Sequence, residues 1–161
     1  MNSIIGSASV RRIDPINLFT KLKEESRESA VEIVKGAEPR LILLMWTTDI
    51  RNRYILEMTC DFRCLKQDVL YLHVQVSTRF QVDLTSEIVS EETMPINDFK
   101  ILAIEALAHA RVYFANLTKG TPFNSVGLYP TIVWGSVVNP LMEGCRQFLQ
   151  AGSPRWPHLR K

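Results

Sequence analysis

Two long runs of period-two alternation constrain this chain more than anything else in it. From Arg53 to Cys64 the even positions are Tyr54, Leu56, Met58, Cys60, Phe62 and Cys64, and the odd ones are Arg53, Ile55, Glu57, Thr59, Asp61 and Arg63. From Val69 to Leu84 the even positions Leu70, Leu72, Val74, Val76, Thr78, Phe80, Val82 and Leu84 oppose Tyr71, His73, Gln75, Ser77, Arg79, Gln81 and Asp83. Successive side chains of a strand point to opposite faces, so each run predicts a strand with one apolar and one polar face. Arg40 to Thr47, RLILLMWT, predicts a third strand, apolar on both faces at its centre. The links from Thr48 to Asn52 and from Leu65 to Asp68 are too short for a crossover, so the three strands form an antiparallel meander.

The second constraint is the stretch INDFKILAIEALAHARVYFANLTKG. It predicts a long helix from Asn97 to Lys119, opened by Asn97 or Asp98 as a cap and stopped by Gly120 and Pro122. Only Lys100, Glu105, His109 and Arg111 within it demand water, while Ile101, Leu102, Ile104, Leu107, Val112, Tyr113, Phe114 and Leu117 point around nearly the whole axis. A helix that is apolar all round is covered on more than one side. The sheet supplies one cover, and another subunit or a client supplies the other.

The rest of the chain fits around these elements. Asp14 to Lys35 reads as helical, with Asp14 as cap, Pro15 in the first turn and Gly36 past the end, or else as a broken, partly extended segment, because its middle, KLKEESRES, is strongly polar. Leu84 to Pro95 is a polar, acidic connection. Thr131 to Val138 reads as a short strand interrupted by Gly135, and Asn139 to Leu149 as a short final helix with Pro140 in its first turn. The fold class is α+β, an antiparallel meander with a long helix packed on one face and a short C-terminal helix. A single domain spans 1–161, with a helical N-terminal segment over 1–36 and a flexible basic tail over 150–161.

Composition narrows the function by exclusion. A net charge of +2, with Lys and Arg interspersed among Asp and Glu, proposes no nucleic-acid partner. No run approaches the ~20 apolar residues of a membrane span. The N-terminus MNSIIGSASVRRIDP has no basic segment followed by an apolar one, which argues against a secretory signal. Cys60, Cys64 and Cys145 are an odd count without paired spacing, which fits a reducing cytoplasm. His73, His109 and His158 stand apart with no ligand spacing, so no metal, cofactor or catalytic residue is assigned and the chain is read as a non-enzyme. The triplet Asn116-Leu117-Thr118 matches a glycosylation sequon by chance. His109 with Glu105 and Arg111 is a helix-surface cluster, or else the rim of a small-ligand pocket.

What asks for an explanation is the apolar surface. Trp46, Phe123, Tyr129 and Trp134 fall at strand ends or in loops beside the apolar helix. They either complete one core and a dimer interface, or line a groove that accepts extended apolar segments.

The order of elements, together with Pro39-Arg40-Leu41-Ile42-Leu43-Leu44, the two alternating strands, Ala106 to Lys119, Gly120-Thr121-Pro122-Phe123 and Leu128-Tyr129-Pro130, resembles the SecB family of protein-export chaperones over Pro39 to Pro130. The resemblance implies a homo-oligomer, dimer or tetramer, built through sheet edge and helix. It also implies binding of unfolded or precursor polypeptides without nucleotide, with a translocase motor or a toxin–antitoxin system as further partner. Client binding then falls to Trp46, Phe114, Leu117, Phe123, Val126, Leu128, Tyr129 and Trp134, and the oligomer interface to Ile101, Ile104, Ala108 and Val112. A structural or adaptor oligomer without clients is the competing reading, and a small-ligand-binding α+β domain the third.

Overall fold

The computed structural model describes residues 3–5, 40–66, 69–117, 119 and 134–157. Its strands are β1 (Ser3–Ile5), β2 (Arg40–Thr47), β3 (Arg53–Lys66) and β4 (Val69–Asp83), and its helices are α1 (Ile96–Leu117) and α2 (Trp134–Gln150). β2, β3 and β4 pair antiparallel in chain order, as their short connections require, with Leu43 opposite Met58, Met45 opposite Leu56, Tyr54 opposite Val82 and Leu56 opposite Phe80. The alternation therefore does its expected work: Tyr54, Leu56, Met58, Cys60, Val76, Phe80 and Val82 are all buried on one face.

The sheet has one strand more than the three expected. Ser3–Ile5 pairs antiparallel with the far edge of β4, giving the order β1-β4-β3-β2. Three residues are too few to carry a periodic signal, but they cover main-chain donors and acceptors that an open edge would leave exposed. The helix expected over 14–35 lies outside the described residues.

α1 begins at Ile96, so Asn97 and Asp98 lie inside its first turn and neither is the cap. A short 3₁₀ turn, Glu91–Thr93, leads in, and Pro95 presets the helical φ while its carbonyl accepts from the Phe99 N–H at 3.1 Å. The described helix runs to Leu117, and Lys119, the expected limit, lies in a turn.

The largest departure is at α2. Trp134 to Val138, expected as the end of a strand, is the first part of a helix that runs to Gln150, and Pro140 sits inside that helix, not in its first turn. The buried residues Val137, Leu141, Cys145 and Phe148 recur at helical spacing, and packing of that face overrides the local β propensity of the valines. Gly144 sets how closely α2 approaches β2, because a Cβ there would lie 2.7 Å from both the Cβ and the carbonyl oxygen of Leu43. The two helices and the buried sheet face share one core, in which Phe80, Phe99, Leu43, Leu56, Met58 and Leu141 are the largest enclosed side chains.

The tail expected to be flexible from residue 150 is seated as far as Trp156. Thr47 N–H donates to the Pro154 carbonyl and Trp156 N–H to the Thr47 carbonyl, both at 2.8 Å, forming a parallel bridge between Thr47 and Arg155. The edge of β2 and a tryptophan at the right register hold it there. Residues 158–161 lie outside the described residues.

Candidate functional surfaces

α1 has two apolar faces. Phe99, Leu102, Ala103, Ala106, Leu107 and Ala110 recur at three- and four-residue spacing and are buried against the sheet. About 180° around the axis, at 3.6 residues per turn, Ile101, Ile104, Ala108 and Val112 form a second stripe. Ile101 is 60%, Ile104 48% and Val112 63% exposed, and Ala108 is exposed with them. These are the four residues assigned to an oligomer interface. Glu105 and His109 flank the stripe on one side and Lys100 and Arg111 on the other.

The second surface is the sheet face turned away from the core. Register aligns three cross-strand rows there: Ile42–Thr59–Ser77, Leu44–Glu57–Arg79 and Trp46–Ile55–Gln81. Thr59 and Ser77 hydroxyls bond at 2.7 Å, and the Arg79 guanidinium donates to Glu57 at 3.0 Å. Of the apolar side chains in these rows, Ile42, Leu44 and Trp46 lie on β2, and Ile55, buried, lies on β3. Trp156 arrives over them from the tail, its ring 4.6 Å from that of Trp46 in an edge-to-face arrangement, with the Arg79 guanidinium 4.8 Å from its centroid. Two cavities follow one another along β2 beside α2. One of about 580 Å³ extends from Arg40 to Leu43, and one of about 210 Å³ extends from Leu43 to Trp46 and is lined on its other side by Phe148, Ala151 and Pro154.

Of the residues assigned to client binding, Trp46 lies on this second surface, half-buried. Phe114 and Leu117 lie in the last turns of α1, and Trp134 opens α2. Phe123, Val126, Leu128 and Tyr129 lie outside the described residues. Trp156, Arg79 and Leu44 join Trp46 without having been singled out. Trp156 was overlooked because the basic residues around it gave the tail the look of a solvated end.

His109 Nε2 stands 3.9 Å from Glu105 Oε1 as an i, i+4 pair on the helix surface, and neither residue lines the two cavities. Burial pushes the Cys60 thiol up to about 12, leaving it protonated and unreactive. The Cys145 thiol is raised as well, mainly by burial and further by the charge of Glu91. At the end of the sheet Arg53 holds the Asp83 carboxyl below its usual range through a bidentate pair at 2.6 and 3.0 Å. Among the described residues, no group of three His, Cys, Asp or Glu is placed to hold a metal ion. Among the same residues, no helix is long and apolar enough to cross a membrane.

Fold and surfaces together define an α+β protein: an antiparallel sheet, helices on one face, and exposed apolar side chains on the outer side of α1 and at Leu44 on β2. Compared with family models, with curated proteins and with solved structures, the chain matches none.

Proposed function

We propose that this chain is a non-enzymatic, homo-oligomeric chaperone that binds unfolded or extended polypeptide through apolar surface, in the manner of the SecB family its sequence resembles. The observation that carries the reading is the pair of opposed apolar faces on α1. A helix needs one such face to join a core, and the second, with Ile101, Ile104 and Val112 about half to two-thirds exposed, is left for another polypeptide. Burying each large aliphatic side chain contributes roughly 1.5–3 kcal/mol, so a few of them suffice for weak, sequence-tolerant binding. Leu44 and Trp46 extend such surface onto the sheet. In this reading the protein works in the cytoplasm on precursor or non-native chains, with a translocase motor or a toxin–antitoxin pair as its further partner.

The spacing of Ile101, Ile104, Ala108 and Val112 also supports a second reading, a structural or adaptor oligomer, because a stripe one residue wide suits a single helix–helix seam. Two measurements separate the readings. An equimolar amount of the pure protein should suppress light scattering from a thermally aggregating client; unchanged scattering would sink the chaperone. Binding of an apolar dye to the assembled oligomer, sized by light scattering, should be strong for a chaperone and negligible for an adaptor.

A further inference from the structure

The tail makes the contacts that an extended ligand would make. Past α2 the chain turns through Gly152 and Ser153, at φ of 76° and 55°, and runs parallel to β2. The Pro154 carbonyl then accepts from the outward N–H of Thr47 and the Trp156 N–H donates to its outward carbonyl, while Thr47 Oγ1 donates to the carbonyls of Ser153 and Pro154 at 3.4 and 3.3 Å. The Trp156 ring lies against Trp46 and under Arg79. Main-chain pairing to a sheet edge, with one side chain in a pocket beside it, is the pattern of strand addition.

Very little of this reads the tail's own sequence. The main-chain bonds are available to any extended chain in the same register, and the contacts with Trp46 and Arg79 are ones that another aromatic ring can make. Further back along β2, α2 comes so close that a Cβ on Gly144 would lie 2.7 Å from the Leu43 carbonyl oxygen, and the tail joins the edge beyond that approach, at Thr47.

We infer that Ser153–Trp156 is an exchangeable self-ligand, occupying a strand-addition site at Thr47 and Trp46 that accepts in its place an extended polypeptide segment carrying an aromatic residue. The inference rests on extended polypeptide being the ligand, as proposed above. It adds where the ligand joins, in which direction, and what keeps the site closed. A site competent only when the strap is released binds with its intrinsic affinity scaled by the released fraction, so weakening the strap must tighten binding.

The test uses the full chain and a labelled peptide of the tail's own sequence, SPRWPHLRK. Trp156→Ala should bind it about tenfold more tightly than the unaltered chain, a change of about 1.4 kcal/mol. Trp46→Ala should lose binding, as should the same peptide with serine in place of its tryptophan. A second measurement needs no variant fold to survive. In the unaltered chain labelled with 5-fluorotryptophan, the fluorine resonance of Trp156 should move as an aggregating client or the peptide is added to saturation. Equal or weaker binding by Trp156→Ala, or a Trp156 resonance that stays fixed while client is bound and protected, overturns the self-ligand and leaves the chaperone reading standing. A chain that neither protects a client nor binds any peptide overturns both.

Discussion

The two helices solve the same problem with different outer faces. α2 buries Val137, Leu141, Cys145 and Phe148 and turns Asn139, Glu143, Arg146, Gln147 and Gln150 outward. Its exposed side is busy with polar contacts: Arg146 donates to Glu143 and is paired with Glu91, and Gln147 reaches Glu143. α1 buries Phe99, Leu102, Ala103, Ala106, Leu107 and Ala110 just as completely, yet turns Ile101, Ile104, Ala108 and Val112 outward. Both helices dock on one sheet through the same 3.6-residue logic, so the docking faces say nothing about function. The difference lies in what each leaves outside, since water satisfies the outer face of α2 and not that of α1.

Phe99→Ala should have the largest effect, lowering stability by about 3–5 kcal/mol because it opens a cavity where helix meets sheet. Denaturant titration would check it, with the midpoint falling and the slope unchanged. Gly144→Ala probes the tightest approach on the α2 side. The methyl group would press on Leu43 backbone and side chain, which cannot give way together, at a cost of about 1–3 kcal/mol on the same titration. Arg146→Ala removes exposed charge pairs from the outer face of α2 and should cost no more than about 1 kcal/mol, an effect that shrinks as salt is raised. Ile101→Ser with Ile104→Ser should change monomer stability least, by about 0.5 kcal/mol or less. The pair should nonetheless lower the mass of the assembled species in light scattering, whereas Gln147→Ser on the outer face of α2 should leave it unchanged. If the mass is the same for both, the distinction between the two outer faces is lost.

The sheet was the most legible part of the molecule. Tyr54, Leu56, Met58, Cys60, Val76, Phe80 and Val82 are buried as the alternation requires, because a pleated strand cannot send neighbouring side chains to one face. The existence of α1 was equally plain, though its first residue was not, since Pro95 rather than a side-chain cap sets the start. α2 was misread over Trp134 to Val138 because valines beside a glycine resemble a strand until the burial of Val137 with Leu141 and Cys145 is known. β1 was missed because three residues have no measurable period. Of the surfaces, the stripe of Ile101, Ile104, Ala108 and Val112 was named from the sequence and is exposed, whereas the seat of Trp156 depends on β2 lying beside a tail more than a hundred positions away in the chain.

By itself the sequence determined the α+β class, the antiparallel pairing of three strands and the surplus of apolar surface on one helix. Those features follow from local periodicity and short connections, which act over a few residues. Tertiary structure alone decided which half of α1 is covered, that a fourth strand pairs with β4, that Gly144 lets α2 lie on Leu43, and that Pro154–Trp156 lies against Thr47 and Trp46. Each of these is a meeting of segments distant in sequence, and what selects it is close packing and the pairing of main-chain groups at an edge, neither of which exists until the chain has folded.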